Sequence, residues 1–74
     1  MKKLISILTE LHPDIDFRAS HKLVEEGILD SIDIVTLIGE IDEAYGVRVP
    51  IEEITPENFA SVEAIYKMIE GLRG

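Results

Sequence analysis

The stretch SIDIVTLIGEIDEAY, residues 31–45, constrains this chain more than any other, because it spaces apolar residues the way an α-helix uses them. With Ser31 set at 0° and about 100° per residue, Ile34, Leu37, Ile38, Ile41 and Tyr45 fall between roughly 240° and 340°. A stripe that wide buries against other helices. Two apolar residues do not join it. Val35 falls near roughly 40° and Ile32 near roughly 100°, on the side that carries Ser31, Gly39, Asp42 and Glu43. Scattered exposed aliphatic residues are ordinary, and the segment before the helix could cover these two, so helical geometry leaves a structural reading open beside a functional one. Gly39 bears on the choice only slightly: a mid-helix glycine costs about 1 kcal/mol relative to alanine, and on a surface face it could admit close approach by another molecule or equally be neutral drift in a tolerant helix.

The remaining segments also read as helical. Leu4, Leu8 and Leu11, with Ile5 and Ile7 near the edges, predict an amphipathic first helix that stops at His12-Pro13, where proline restricts the residue before it. DIDFRASHKLVEEG, residues 14–27, has no sustained period and predicts a long ordered loop with about one helical turn, anchored by Phe17, Leu23 and Val24 and turned at Gly27. Asp30 or Ser31 can cap the second helix, Asp33 puts a carboxylate in its first turn, and Gly46 suits its end. VRVPI is too short and isolated for a sheet, and Pro50 cannot donate to one, so an extended connector is expected. Thr55-Pro56-Glu57 offers a cap, a proline and an acid for a short third helix over Asn58 and Phe59. Ser61 can cap a fourth helix, in which Val62, Ile65, Ile69 and Leu72 repeat at helical spacing. The expected fold is all-α: a small four-helix bundle with a long first loop and a short third helix.

At 74 residues the chain reads as one domain over residues 1–74, near the size at which a single core only just suffices. Cysteine is absent, which removes disulfides, thiolate metal sites and a cysteine nucleophile. MKKLISILTELHPD resembles a weak signal peptide, but Ser6, Thr9 and Glu10 interrupt its apolar run and a small-residue cleavage site is missing. No apolar run approaches the roughly 20 residues of a membrane span, and a cytoplasmic monomer is expected. A net charge of −8 repels a phosphate backbone and argues against nucleic acid as a partner. From Glu25 to Glu63 acids recur while Arg48 is the one base, which suits basic protein partners, although such acidity also serves solubility alone.

Catalysis by Ser31 would need His12 or His21 as a base and a carboxylate to orient it, and no glycine-rich oxyanion element accompanies them. Asp14 with Asp16, and Asp30 with Asp33, lack the ligand spacing and central glycine of a calcium loop. Neither an enzyme nor a metal site is expected.

The run Gly27-Ile28-Leu29-Asp30-Ser31-Ile32-Asp33, followed by Val35, Leu37 and Ile38, resembles the Asp-Ser-Leu region of acyl carrier proteins and the related peptidyl and D-alanyl carriers. The likeness extends over nearly the whole chain, through the short first helix, the long loop, Val49-Pro50 and the Ser61-Val62 entry to the last helix. It implies that Ser31 bears phosphopantetheine, attached covalently from coenzyme A by a phosphopantetheinyl transferase. The terminal thiol of that group would then carry acyl or aminoacyl cargo as a thioester. It also implies that Ile32, Val35 and Gly39 help partners dock, while Asp30, Asp33, Glu40, Asp42 and Glu43 meet basic surfaces on an adenylating ligase and on acyltransferase or synthase enzymes. Two departures from the fatty-acid type are Gly39, in place of a bulky apolar residue, and the longer segment IEEITPENFASV. The VPIEEI segment and the longer connector resemble the D-alanyl carrier and other stand-alone carriers fed by an adenylating ligase. The rival reading is a helical interaction module without a prosthetic group.

Overall fold

The computed structural model describes residues 2–17 and 22–73, and among them it contains three α-helices, one short 3-10 helix and no strand. Helix α1 spans Lys2–Leu11, α2 Ser31–Tyr45 and α3 Val62–Arg73. Leu4, Ile7 and Leu8 of α1 are buried at helical spacing, and α1 packs against both other helices. Fully burying an aliphatic side chain contributes about 1.5–3 kcal/mol, so this triplet anchors the bundle. The helix closes where expected, with the His12 amide donating to the Leu8 carbonyl at 2.9 Å before Pro13.

The described residues of the long loop are held by burial and by backbone hydrogen bonds. Phe17, Leu23 and Leu29 lie in the core, with Val24 packed against it. The Leu23 amide donates to Ala60 at 2.9 Å and the Leu29 amide to Leu23 at 3.0 Å, joining the loop to the entry of α3 and to itself. The expected helical turn is present, closed by the Glu26 amide on the Lys22 carbonyl at 2.9 Å, and Gly27 reverses the chain at φ 75°. The loop residues Arg18, Ala19, Ser20 and His21 lie outside the described residues.

On α2 the inward stripe is narrower than its periodicity predicts. Leu37 and Ile41 are fully buried, whereas Ile34, Ile38 and Tyr45 pack against the core while staying partly exposed. Gly46 ends α2 in the left-handed region at φ 65°, its amide bonded to the Asp42 carbonyl. Beyond it Val47 and Val49 are buried and Arg48 is exposed, so the connector is extended and alternates without pairing into a sheet.

The structure departs from the four-helix expectation between Pro50 and Ser61. A 3-10 turn at Ile51–Glu53 takes up Ile51, the last residue of the expected extended connector. The short third helix is instead a single turn. Thr55 Oγ1 accepts from the Asn58 amide at 3.1 Å, as a cap would, and the Phe59 amide reaches the Thr55 carbonyl at 3.2 Å. Propagation stops there because the Asn58 side chain turns back to the Glu53 carbonyl at 2.7 Å and Ser61 already caps α3. Too few residues remain to offset helix nucleation. Phe59, fully buried, holds the turn to the core. In α3 the buried residues are Val62, Ile65, Met68 and Ile69; Met68, which the apolar spacing overlooked, joins the core while Leu72 is only partly buried.

Candidate functional site

The start of α2 is a reciprocal cap. Asp30 adopts an extended backbone, and its Oδ1 accepts the Asp33 amide at 2.8 Å, while Asp33 Oδ2 accepts the Asp30 amide at 3.4 Å. The Ile34 amide is taken by the Asp30 carbonyl at 3.0 Å. Of the donors that every helix leaves open at its N-terminus, the amides of Ser31 and Ile32 therefore have no partner among the described residues. Ser31 is the first helical residue, and its exposed hydroxyl makes no hydrogen bond to the described residues.

Asp33 is held from a second direction. His12 Nε2 lies 2.8 Å from Asp33 Oδ2, joining the end of α1 to the first turn of α2. That hydrogen bond, with the Asp30 amide and the His12 charge, keeps the Asp33 carboxyl below its usual range, against a burial effect that acts to raise it. Sequence reasoning considered His12 only as a base for Ser31. The structure directs its ring to Asp33 instead, and no pattern could have revealed a partner 21 residues away. His21 lies outside the described residues.

The outer face of α2 is built as the helical angles indicate. Ile32 is 73% and Val35 70% exposed, and no other part of the chain among the described residues covers them. A Cβ added at Gly39 would meet nothing within 4 Å, so this glycine faces open space. Asp30, Asp42 and Glu43 are exposed around the patch, while Glu40 and Asp33 are partly covered. The eight residues expected beside Ser31 thus lie on α2 or at its cap, with Asp33 already engaged by His12. The exposed Ile51, in the 3-10 turn, carried no signal in the sequence.

A family model described as the phosphopantetheine attachment site matches residues 2–69. Among curated proteins, the chain is similar to the D-alanyl carrier protein of Listeria welshimeri, 38% identical over 52 residues that cover 70% of this chain and 67% of that one. It is similar also to Aminoacyl carrier protein 1 of Bradyrhizobium diazoefficiens, 41% identical over 54 residues covering 73% of this chain and 59% of that one. The D-alanyl carrier protein of Streptococcus equi subsp. zooepidemicus is 33% identical over 60 residues, 81% of this chain and 76% of its own length. With a match that runs from α1 into α3, the protein belongs to the phosphopantetheine attachment family: it is a carrier that works through a covalently attached prosthetic group, and it is not an enzyme.

Proposed function

We propose that Ser31 bears the phosphopantetheine, that residues 1–74 form one carrier domain around it, and that the cargo is an aminoacyl group loaded by an adenylating ligase. The observation that carries this reading is the situation of Ser31: an exposed hydroxyl on the first residue of α2, beside two helix-start amides without partners. A helix N-terminus suits an anion, and a phosphodiester on Ser31 is one. The residues at the start of α2 therefore fit the group.

The bound group supplies a terminal thiol that holds cargo as a thioester, a chemistry this cysteine-free chain otherwise lacks. The chain's own part is presentation. Ser31 offers the attachment oxygen, and the capping box fixes the turn around it. Ile32, Val35 and Gly39 offer an apolar contact that is desolvated when a partner docks. Asp30, Asp33, Glu40, Asp42 and Glu43 suit basic surfaces on the transferase, the ligase and acyl-accepting enzymes. An aminoacyl cargo is supported by relatives named as D-alanyl and aminoacyl carriers, while Gly39 and the longer connector before α3 depart from the fatty-acid type. The reading carries a cytoplasmic monomer with it.

The test incubates apo-protein with a phosphopantetheinyl transferase and coenzyme A and maps the adduct by mass spectrometry. An adduct on Ser31 is expected; one on Ser6, Ser20 or Ser61, or none with several competent transferases, overturns the assignment. Mass spectrometry of the native thioester then tests the cargo, and a fatty acyl group would refute the aminoacyl reading.

A further inference from the structure

We propose that His12 is a positioning residue for the modification of Ser31, acting through Asp33; this rests on the reading of Ser31 as the loaded residue. The backbone of His12 is held on both sides, its amide donating to Leu8 at 2.9 Å and its carbonyl accepting the Ile15 amide at 3.2 Å. From that fixed base its ring meets Asp33 Oδ2 at 2.8 Å. An ionised carboxylate only accepts, so Nε2 bears the proton in this contact, in the neutral ring and the imidazolium alike.

The two arms of the capping box are unequal. Asp30 Oδ1 holds the Asp33 amide at 2.8 Å, but the return arm, Asp33 Oδ2 to the Asp30 amide, is 3.4 Å, beyond the usual range for such a bond. The short contact from His12 is what keeps that carboxylate turned toward the cap. Support from outside matters here because Asp30, Ser31 and Ile32 are all exposed, so between the packed Leu29 and Ile34 these three add no side-chain packing to the turn. His12 thereby fastens the loading turn to the end of α1, the helix that packs against both others. A transferase must meet the Ser31 oxygen in one orientation, and small misplacements of a reacting atom are costly in rate.

The experiment measures transferase kinetics and residue-resolved amide hydrogen exchange on the full chain for wild type, His12→Ala and His12→Gln. His12→Ala should lower kcat/KM for loading about 3- to 10-fold, the range for losing one such hydrogen bond. It should speed exchange at the Asp33 and Ile34 amides and leave Ile41 and Ile65 unchanged. His12→Gln, which returns a neutral N–H donor, should restore most of both. In an Asp33→Ala background the further His12→Ala change should alter kcat/KM by less than about twofold, because coupled residues are not additive. Wild-type loading and exchange in His12→Ala, an equal deficit in His12→Gln, the same loss in both backgrounds, or faster exchange throughout the core would each overturn the proposal. Loading of the wild type somewhere other than Ser31 would sink the functional reading, and the exchange data would still judge the anchor by itself.

Discussion

Val35 and Leu37 stand two residues apart on α2, yet Val35 is 70% exposed and Leu37 is fully buried. One faces solvent and the other fills the bundle, so the same class of substitution should have opposite consequences. Leu37→Ala removes buried methyl groups and should cost about 2–5 kcal/mol in urea melts. Val35→Ala should change stability by less than about 0.5 kcal/mol while weakening partner binding. Early melting of Val35→Ala would mean that the patch is core.

Ser31 and Asp30 are neighbours with separable duties. Ser31→Ala removes an exposed hydroxyl that makes no hydrogen bond to the described residues, so its melting curve should match wild type while phosphopantetheine loading disappears. Asp30→Ala deletes the N-cap and should cost about 1 kcal/mol. Circular dichroism melts beside a loading assay separate the two; a Ser31→Ala protein that unfolds early would show that loss of loading is structural.

The low-lying Asp33 carboxyl gives the fold an acid dependence of defined sign. Its folded value is depressed, chiefly by the hydrogen bond from His12, so the unfolded chain binds the proton more readily. Its contribution is present above the ordinary carboxyl value of about 3.9 and is lost as pH falls through the folded value. Urea midpoints taken down through that window should fall more steeply for wild type than for Asp33→Asn. Parallel curves would refute the depression.

Gly39 faces open space in an ordinary helical conformation, so Gly39→Ala should stabilise the protein by about 1 kcal/mol through helix propensity. If partners approach α2 closely there, the same variant should bind the ligase less well. A gain in stability with unchanged ligase kinetics would remove Gly39 from the docking face.

Glu43→Lys reverses an exposed charge on the side of α2 proposed for docking. Rim charges steer encounter more than they hold a complex, so association with a basic partner should slow and its salt dependence flatten. Stopped-flow association rates over a salt series test this; an unchanged salt slope would show that Glu43 lies outside the encounter surface.

Local chemistry made α1, α2, α3, their caps and the solvent face of α2 readable in advance, because helical period and capping residues act over three or four positions. Thr55-Pro56-Glu57 misled for a related reason. The cap forms, but the return of Asn58 to Glu53 and the closeness of Ser61 decide how far the turn runs, and neither belongs to the cap itself.

By itself the sequence determined that an amphipathic helix begins at Asp30 or Ser31, that Ile32 and Val35 share its outer side, and that the surrounding charge is acidic. Tertiary structure decided depth and partnership. Leu37 and Ile41 became the inward centre of α2 while Ile38 stayed partly exposed, since burial depends on where the other elements pack. His12 met Asp33 for the same reason: a hydrogen bond between residues far apart in sequence forms only after the packing of α1 and α2 has brought their ends together.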